Sequence, residues 1–450
     1  MSEKIVSRRC FVATAAAAAG GCLGLCGRTR AAQSRGEEEA PPRHGPLGQA
    51  RGAQPGRVVW VHDPSVTDWK GPGDGHWWEP QHTKQSVADR MLRDAVCQLA
   101  GESSPAAAWE KLLKAFNRQR GKGAAGYRPG ERVCIKVNFV GFIWRWPAVD
   151  PDSYRLEVRQ DYMNTSPQIM LALLRQLVET VGIRPGDITI GDGLAYFPHE
   201  YHSMLYGEYP QVQYLDHKGA FGRTAIQQSD IQIHWSARPE GCQPDFVPVQ
   251  FAGADYLINL ANLKSHTGAG VTLCAKNHYG SLTRWPVQRG YYDLHQSAFN
   301  MEKAQYRNLV DLMGHDQIGG KTMLYLIDGL FAGRHPIDRA PMKWHSPPFN
   351  GHWTCSLLAS QDPVAIDSVA FDFLWTEWKD FPRRVGAEDY LHEAAVAGSA
   401  RSGTVYDPNH PEPSRPLSTL GVHEHWNNPR DKQYSRNAGT GEGIELVAVS

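Results

Sequence analysis

Three lysines lie in or beside apolar runs of this sequence, where an ionised side chain needs a partner. Lys136 lies inside the apolar run 133–138, Lys264 follows the apolar run 256–263, and Lys276 closes the next one. Ligands of open α/β sheets bind beyond the carboxyl ends of strands, and lysines that meet there suit a phosphate or a carboxylate. The sequence therefore predicts a site for a small anionic molecule, with Asn138 and Asn277 as neutral donors.

Ion pairs inside the fold explain the same lysines equally well, because a buried ammonium group needs a carboxylate partner. The aspartates available for this follow or enter apolar runs: Asp192, Asp328, Asp362 and Asp367. Asp192 and Asp328 each precede a glycine, which is typical of a turn. The same placement suits a carboxylate that holds a divalent metal such as Mg²⁺ or acts as a base. Asp362 precedes a proline, as a residue that caps a helix does.

Histidines supply the remaining candidates for chemistry. His266 is our candidate for proton transfer, because it opens the glycine-rich turn 266–270 and the nearby Lys264 lowers its pKa. The backbone N–H groups of that turn suit an anion. His423 and His425 are candidate metal ligands, since residues two apart on a strand face the same side. His199 and His202 have the corresponding spacing for a helix.

The elements that must position these residues alternate between strands and helices. The run 133–138, a helix opened by Ser166 and Pro167, and the run 187–193 form a βαβ unit. The other predicted strands are 58–61, 212–215, 247–251, 256–263, 271–275, 323–327, 354–359 and 443–449. The sequence predicts an α/β fold with a mostly parallel or mixed sheet flanked by helices. Long aromatic-rich loops around Trp146 and Trp285 form either a pocket wall or packed insertions.

The first residues predict a targeting segment. Arg8 and Arg9 precede a mildly apolar stretch of about 16 residues, too short to span a bilayer. We expect a twin-arginine signal peptide at 1–32, a disordered linker at 33–56, and a single α/β domain of one or two lobes at 57–450. The expected location is periplasmic or otherwise exported, with the twin-arginine machinery as a partner. Cys22 and Cys26 are the candidates for a lipid anchor, although the residues before each fit that motif poorly.

Composition excludes several classes of protein. The formal net charge is +0, so nothing indicates a nucleic-acid partner, and we expect no transmembrane span in the mature chain. No C-x-x-C follows the signal peptide, so no cysteine-ligated iron–sulfur cluster is expected. The chain has no G-x-S-x-G elbow, P-loop or dinucleotide fingerprint.

Several segments resemble the family called domain of unknown function 362. Residues 255–260, 264–266 and 271–280 look like its central signature. Residues 135–138, 190–193, 327–329 and 360–367 are similar to its other blocks and follow the same order. The resemblance covers roughly residues 57–450 and implies an α/β fold, but no reaction. Some members carry a ferredoxin-like module, whose cysteines this chain lacks.

The leading hypothesis is an exported enzyme that acts on a small anionic substrate. In it Lys136, Lys264 and Lys276 hold the anion, while Asn138 and Asn277 orient it. His266 transfers a proton, and Asp192 and Asp328 hold a metal or act as base. The alternatives are a non-catalytic exported binding protein that uses the same site, and a redox protein with a bound cofactor.

Overall fold

The computed structural model describes residues 44–450 except 147, 296–306 and 337. The helices of the described residues are α1 (Gln85–Ala100), α2 (Pro105–Gln119), α3 (Pro167–Arg175), α4 (His199–Tyr206), α5 (Val249–Ala252), α6 (Cys274–Asn277), α7 (Arg307–Gly314), α8 (Pro363–Glu377) and α9 (Asp389–Ala395). The strands are β1 (Leu47–Gly48), β2 (Arg57–His62), β3 (Val133–Lys136), β4 (Ile188–Gly191), β5 (Gln213–Asp216), β6 (Thr224–Ala225), β7 (Gln228–Ile233), β8 (Asp245–Pro248), β9 (Tyr256–His266), β10 (Gly270–Thr272), β11 (Thr322–Gly333), β12 (Ser356–Ser360), β13 (Val422–His423) and β14 (Glu445–Val449).

A mixed sheet of 10 strands forms the centre of the fold and confirms the predicted α/β class. Its order is β14-β2-β12-β11-β9-β3-β4-β5-β6, with β10 paired to β9. The strands β11, β9, β3, β4 and β5 run parallel to one another. Because the carboxyl ends of these strands lie along one edge, the residues that follow them come together.

Alternating strand residues face two separate apolar layers. Ile135 and Ile258 belong to the layer that contains α1, α2 and α3. Cys134 and Leu257, one position earlier on the same strands, belong to the layer that contains α7, α8 and α9. A sheet covered on both faces accounts for strands that read as continuous apolar runs.

Two helix starts confirm the capping predictions. The Ser166 hydroxyl accepts a hydrogen bond from Ile169 N, and Pro167 occupies the first helical position of α3. The Asp362 carboxylate accepts from the backbone N–H groups of Val364 and Ala365 at the start of α8.

Three strand predictions differ from the structure. The run 247–251 is strand only to Pro248 and then turns into α5, and the run 271–275 is strand only to Thr272. Lys276 therefore lies on the short helix α6 and does not close a strand. Lys264 and His266, expected after a strand, lie within the longer β9. Short apolar runs fit buried strands and buried helices alike, so periodicity does not separate them.

Residues 44–56 are ordered structure rather than the expected disordered linker. β1 pairs antiparallel with β13, and Arg51 N donates to the Asp362 carboxylate at 2.9 Å. The rest of the predicted linker, 33–43, and the predicted signal peptide lie outside the described residues. Within the described ranges, no helix is both long enough and apolar enough to cross a membrane.

Candidate functional site

A chain of hydrogen-bonded polar side chains crosses the carboxyl ends of β9, β3 and β4. Lys264 Nζ donates to Asn138 Oδ1 at 2.8 Å, and Asn138 Nδ2 donates to Asn277 Oδ1 at 3.0 Å. The same Asn277 oxygen accepts from Lys136 Nζ at 3.1 Å. Lys136 Nζ in turn lies 3.0 Å from Asp192 Oδ2. The structure thus brings together five of the predicted site residues, and all five are buried.

Lys136 forms a buried ion pair with Asp192. Burial lowers the pKa of Lys136, while the Asp192 carboxylate acts in the opposite direction. Asp192 also accepts from the backbone N–H groups of Phe139 and Leu194, so its oxygens are occupied by protein donors. A Cβ on Gly280 would lie 2.5 Å from Lys136 Nζ, so the backbone at this position passes directly over the ion pair. For Lys136, the structure confirms the alternative that the lysine is paired with an aspartate of the fold.

Lys264 is held by neutral oxygens. Besides Asn138, it donates to the backbone carbonyl of Met163, and burial lowers its pKa well below the usual range. Asp328 lies on β11, and its carboxylate accepts from the backbone N–H groups of Ser166 and Leu330 at 2.7 and 3.0 Å. These bonds assign Asp328 to holding the start of α3, and it is not among the residues that line the cavity described next.

A cavity of about 370 Å³ opens beside this polar chain, and Lys276 is the lysine that lines it. Its Nζ lies 4.4 Å from the centre of the Tyr279 ring and 3.4 Å from His295 Nε2. Within the described residues, no carboxylate forms an ion pair with Lys276. Burial lowers the pKa of Lys276 to about 7. Asn138, Asp192 and Asn277 also contribute to the cavity wall.

Three histidines line the same cavity: His266, His295 and His335. His266 Nδ1 accepts hydrogen bonds from Gly268 N and Ala269 N, both at 3.0 Å. The proton of the neutral ring therefore sits on Nε2, and the N–H groups expected to face an anion are used within the turn itself. Burial first, and then Lys276, lowers the pKa of His266 well below its ordinary value. The same causes lower the pKa of His295 to about 2.

Apolar groups form most of the remaining wall, and many come from the two aromatic-rich loops. The contributors include Ile143, Trp146, Leu194, Trp285 and Val287. Arg284 is turned elsewhere, because its guanidinium pairs with the buried Asp245 carboxylate at 2.5 and 2.7 Å. Among the described residues, the cavity wall thus combines the Lys276 amine, the Asp192 carboxylate and neutral hydrogen-bonding groups with an apolar, partly aromatic surface.

The sequence profile described as "Domain of unknown function (DUF362)" matches residues 148–372, half of the chain. The chain belongs to the DUF362 family. Among curated proteins, no sequence matches this chain. The matched DUF362 segment holds most of the site, from Asp192 to His335, whereas Lys136 and Asn138 lie just before it.

Sequence reasoning missed His295 and His335 as part of this DUF362 site. Neither lies in a motif, and each reaches the cavity from a segment outside the central sheet, whose path depends on tertiary packing. The candidate metal ligands His423 and His425 do not line the cavity. Their ring centres lie 5.0 Å apart in a separate cluster with His44 and His392. His202, on α4, packs its ring against Tyr214.

Proposed function

We propose that this protein is exported and binds a small ligand that carries one anionic group on an apolar body. The single observation behind the proposal is Lys276, a partly buried cation at the wall of a cavity, without a carboxylate partner in the described residues. An anionic ligand supplies that partner. Charge-assisted hydrogen bonds in a desolvated site are among the stronger ones available to a ligand.

The neighbouring groups support an anion over a cation. The imidazoles around Lys276 are neutral near pH 7, because their pKa values are lowered. Their N–H groups suit hydrogen bonds to oxygen atoms. Asp192, the carboxylate at the wall, is already paired with Lys136. In this arrangement Lys276 contacts the anion, whereas Lys136 and Lys264 hold Asn277 and Asn138 in place.

The apolar wall supports a ligand with a hydrophobic body. The apolar surface of the wall is larger than inorganic phosphate alone can cover, and it includes Trp146, Trp285 and Val287. Burial of such surface contributes about 25 cal/mol per Å², so a carboxylate on an aromatic or aliphatic body gains from both halves of the cavity. An aryl or alkyl carboxylate is the simplest member of this class, and a phosphate ester is the next.

His266 distinguishes an enzyme from a binding protein. With Nδ1 accepting from two backbone N–H groups, the Nε2–H of the neutral ring can donate a hydrogen bond to a ligand oxygen that gains negative charge during a reaction. Once a ligand is known, replacement of His266 by Gln separates the alternatives. An enzyme loses turnover in H266Q while retaining ligand affinity, whereas a binding protein has no turnover to lose.

The test is isothermal titration of the purified protein with benzoate, phenyl phosphate and the neutral analogue benzyl alcohol. We expect binding of at least one anion, with affinity reduced tenfold or more in K276Q, because a hydrogen bond to a charged group contributes about 1.5–3 kcal/mol. The matched control is K122Q, which replaces an exposed lysine and should bind as the wild type does. Equal affinity for benzyl alcohol, or unchanged binding in K276Q, would contradict the proposal.

A further inference from the structure

Four histidines and one glutamate converge at a place separate from the cavity. His44 precedes β1, His392 lies on α9, and His423 lies on β13. One side-chain nitrogen from each of these three lies within 4.8 Å of the others. The His425 ring lies beside them, 5.0 Å from His423 between ring centres, and its Nε2 is 3.2 Å from Glu388 Oε2.

The nitrogens that face this cluster lack hydrogen bonds. His392 and His423 are 6% and 0% exposed, so water does not readily replace a missing partner. Within the residues that the structure describes, no hydrogen-bond partner reaches three of the buried nitrogens, which are His44 Nε2, His392 Nδ1 and His423 Nε2. Buried polar atoms are rarely left in this state, and several that point at one spot indicate a bound ion.

The opposite sides of the rings are held in the way metal-binding histidines usually are. His423 Nδ1 lies 2.8 Å from Ser368 Oγ, whose own proton goes to the Val364 carbonyl, so His423 donates and keeps its Nε2 lone pair. His425 Nδ1 donates to Asp372 Oδ1 at 2.6 Å. Such outer partners fix the tautomer and orientation of a ligating imidazole.

We propose that His44, His392 and His423 bind a divalent transition-metal ion of the Zn²⁺ type, with His425 or Glu388 able to supply a fourth ligand. Imidazole nitrogens suit Zn²⁺ and its neighbours better than Mg²⁺ or Ca²⁺, which take oxygen ligands. A tetrahedral ion with Zn–N distances of about 2.0–2.1 Å holds its nitrogens about 3.3 Å apart. The three nitrogens of this cluster lie within 4.8 Å of one another, and small side-chain rotations would bring them to the spacing of about 3.3 Å.

Such an ion would connect the first described segment, which contains His44, to α9 and β13. His44 is more than 300 positions from His392 and His423 in the sequence. Strand β1 already pairs with β13, with Leu47 opposite His423. All of these histidines lie outside residues 148–372, the part that matches the DUF362 profile. The ion is thus expected to hold residues 44–56 against α9 and β13, and the site does not depend on the proposed anion cavity.

The test is titration of chelator-treated full-length protein with ZnCl₂, followed by calorimetry and by the metal content after desalting. We expect one Zn²⁺ per chain, a higher melting temperature, and slower proteolysis within residues 44–56. H44Q and H392Q should each weaken binding tenfold or more. His44 precedes the first strand and is partly exposed, so circular dichroism of H44Q should match the wild type.

The control variant is H410Q, which removes an exposed histidine that stacks on His234 and should leave the titration unchanged. K276Q should also bind Zn²⁺ normally, which separates this site from the anion cavity. Absence of stoichiometric uptake, or a Zn²⁺ affinity in H44Q equal to that of the wild type, would overturn the proposal. X-ray absorption of the Zn²⁺-loaded protein should show a nitrogen shell with imidazole scattering, and an all-oxygen shell would also overturn it.

Discussion

At the scale of single residues, the three lysines that look alike in the sequence have different environments. Lys136 is paired with Asp192, Lys264 is bound by amide and carbonyl oxygens, and Lys276 lines the cavity. Burial lowers the pKa of all three, but only Lys136 has a carboxylate in contact among the described residues. A buried cation without such a partner is unfavourable by itself, and this cost makes Lys276 suited to an anionic ligand.

The pKa of Lys276 gives anion binding a defined pH dependence. In the free protein this pKa is lowered to about 7, so the amine loses its proton as the pH rises through that value. A bound anion favours the ammonium form and raises the pKa, so binding above pH 7 takes up a proton and weakens as the pH rises.

We therefore expect the affinity for a carboxylate ligand to be highest below pH 7 and to fall by up to tenfold per pH unit above it. Calorimetry in two buffers with different ionisation enthalpies at pH 8 would measure the proton uptake. The histidine His295, whose pKa is lowered to about 2, stays neutral throughout this range and does not contribute. Affinity in K276Q should not depend on pH, and a wild-type affinity that is equal at pH 6 and pH 9 would exclude this role for Lys276.

At the scale of elements, helix α8 positions both candidate sites through three buried aspartates. Asp362 caps the start of the helix, and Asp367 and Asp372 lie five residues apart within it, which separates their side chains by about 140° around the axis. Asp362 holds Arg51 N of the first described segment, and Asp372 orients His425. Asp367 accepts from Cys274 N and Ala275 N, at the start of the helix that carries Lys276. One apolar helix thus directs three carboxylates to three different neighbours.

Replacement of Asp367 by Ala should affect both stability and ligand binding. The change leaves two buried N–H groups and the Tyr390 hydroxyl without this acceptor, and each such group costs about 1–3 kcal/mol. We expect a loss of roughly 2 kcal/mol or more in the free energy of unfolding. We also expect weaker anion binding, because α6 no longer holds Lys276 in place. Urea unfolding and titration would measure the two effects, with the exposed D230A as control. Wild-type stability in D367A would show that α6 does not need this carboxylate.

At the scale of the whole molecule, the sheet joins the two ends of the described chain. β2 pairs with β14 and β12, so Arg57 lies opposite Glu445. Strand β2 can therefore complete its pairing only after β12 and β14 have been synthesised. Contacts this distant in sequence form late and slowly, so much of the chain exists before the fold is complete. A route that exports proteins after they fold is compatible with this topology.

Export should depend on the two arginines that precede the apolar stretch. Replacement of both Arg8 and Arg9 by Lys should retain the protein inside the cell in its precursor form, while R28K, outside the motif, should be exported normally. Cell fractionation with immunodetection measures the outcome. Export of the R8K/R9K variant at the wild-type level would contradict the twin-arginine prediction.

The fold class, the helix starts at Ser166 and Asp362, and most strands of the central sheet could be predicted from the sequence. These features follow from local apolar runs and capping residues, whose effects extend over only a few positions. The sequence also identified five side chains that the structure joins in one hydrogen-bonded chain, because the carboxyl ends of parallel strands must meet at one edge.

The sequence does not show which lysine faces a cavity and which is neutralised. The environment of each lysine depends on side chains far apart in the sequence, which packing brings together. The pairing of Lys136 with Asp192 spans 56 positions, and the histidine cluster brings His44 beside His423. The polar segment around His44 has no pattern that indicates a metal-ligating residue, because the histidines beside His44 come from β13 and α9. Local patterns place residues on elements, whereas packing of those elements decides which charges meet.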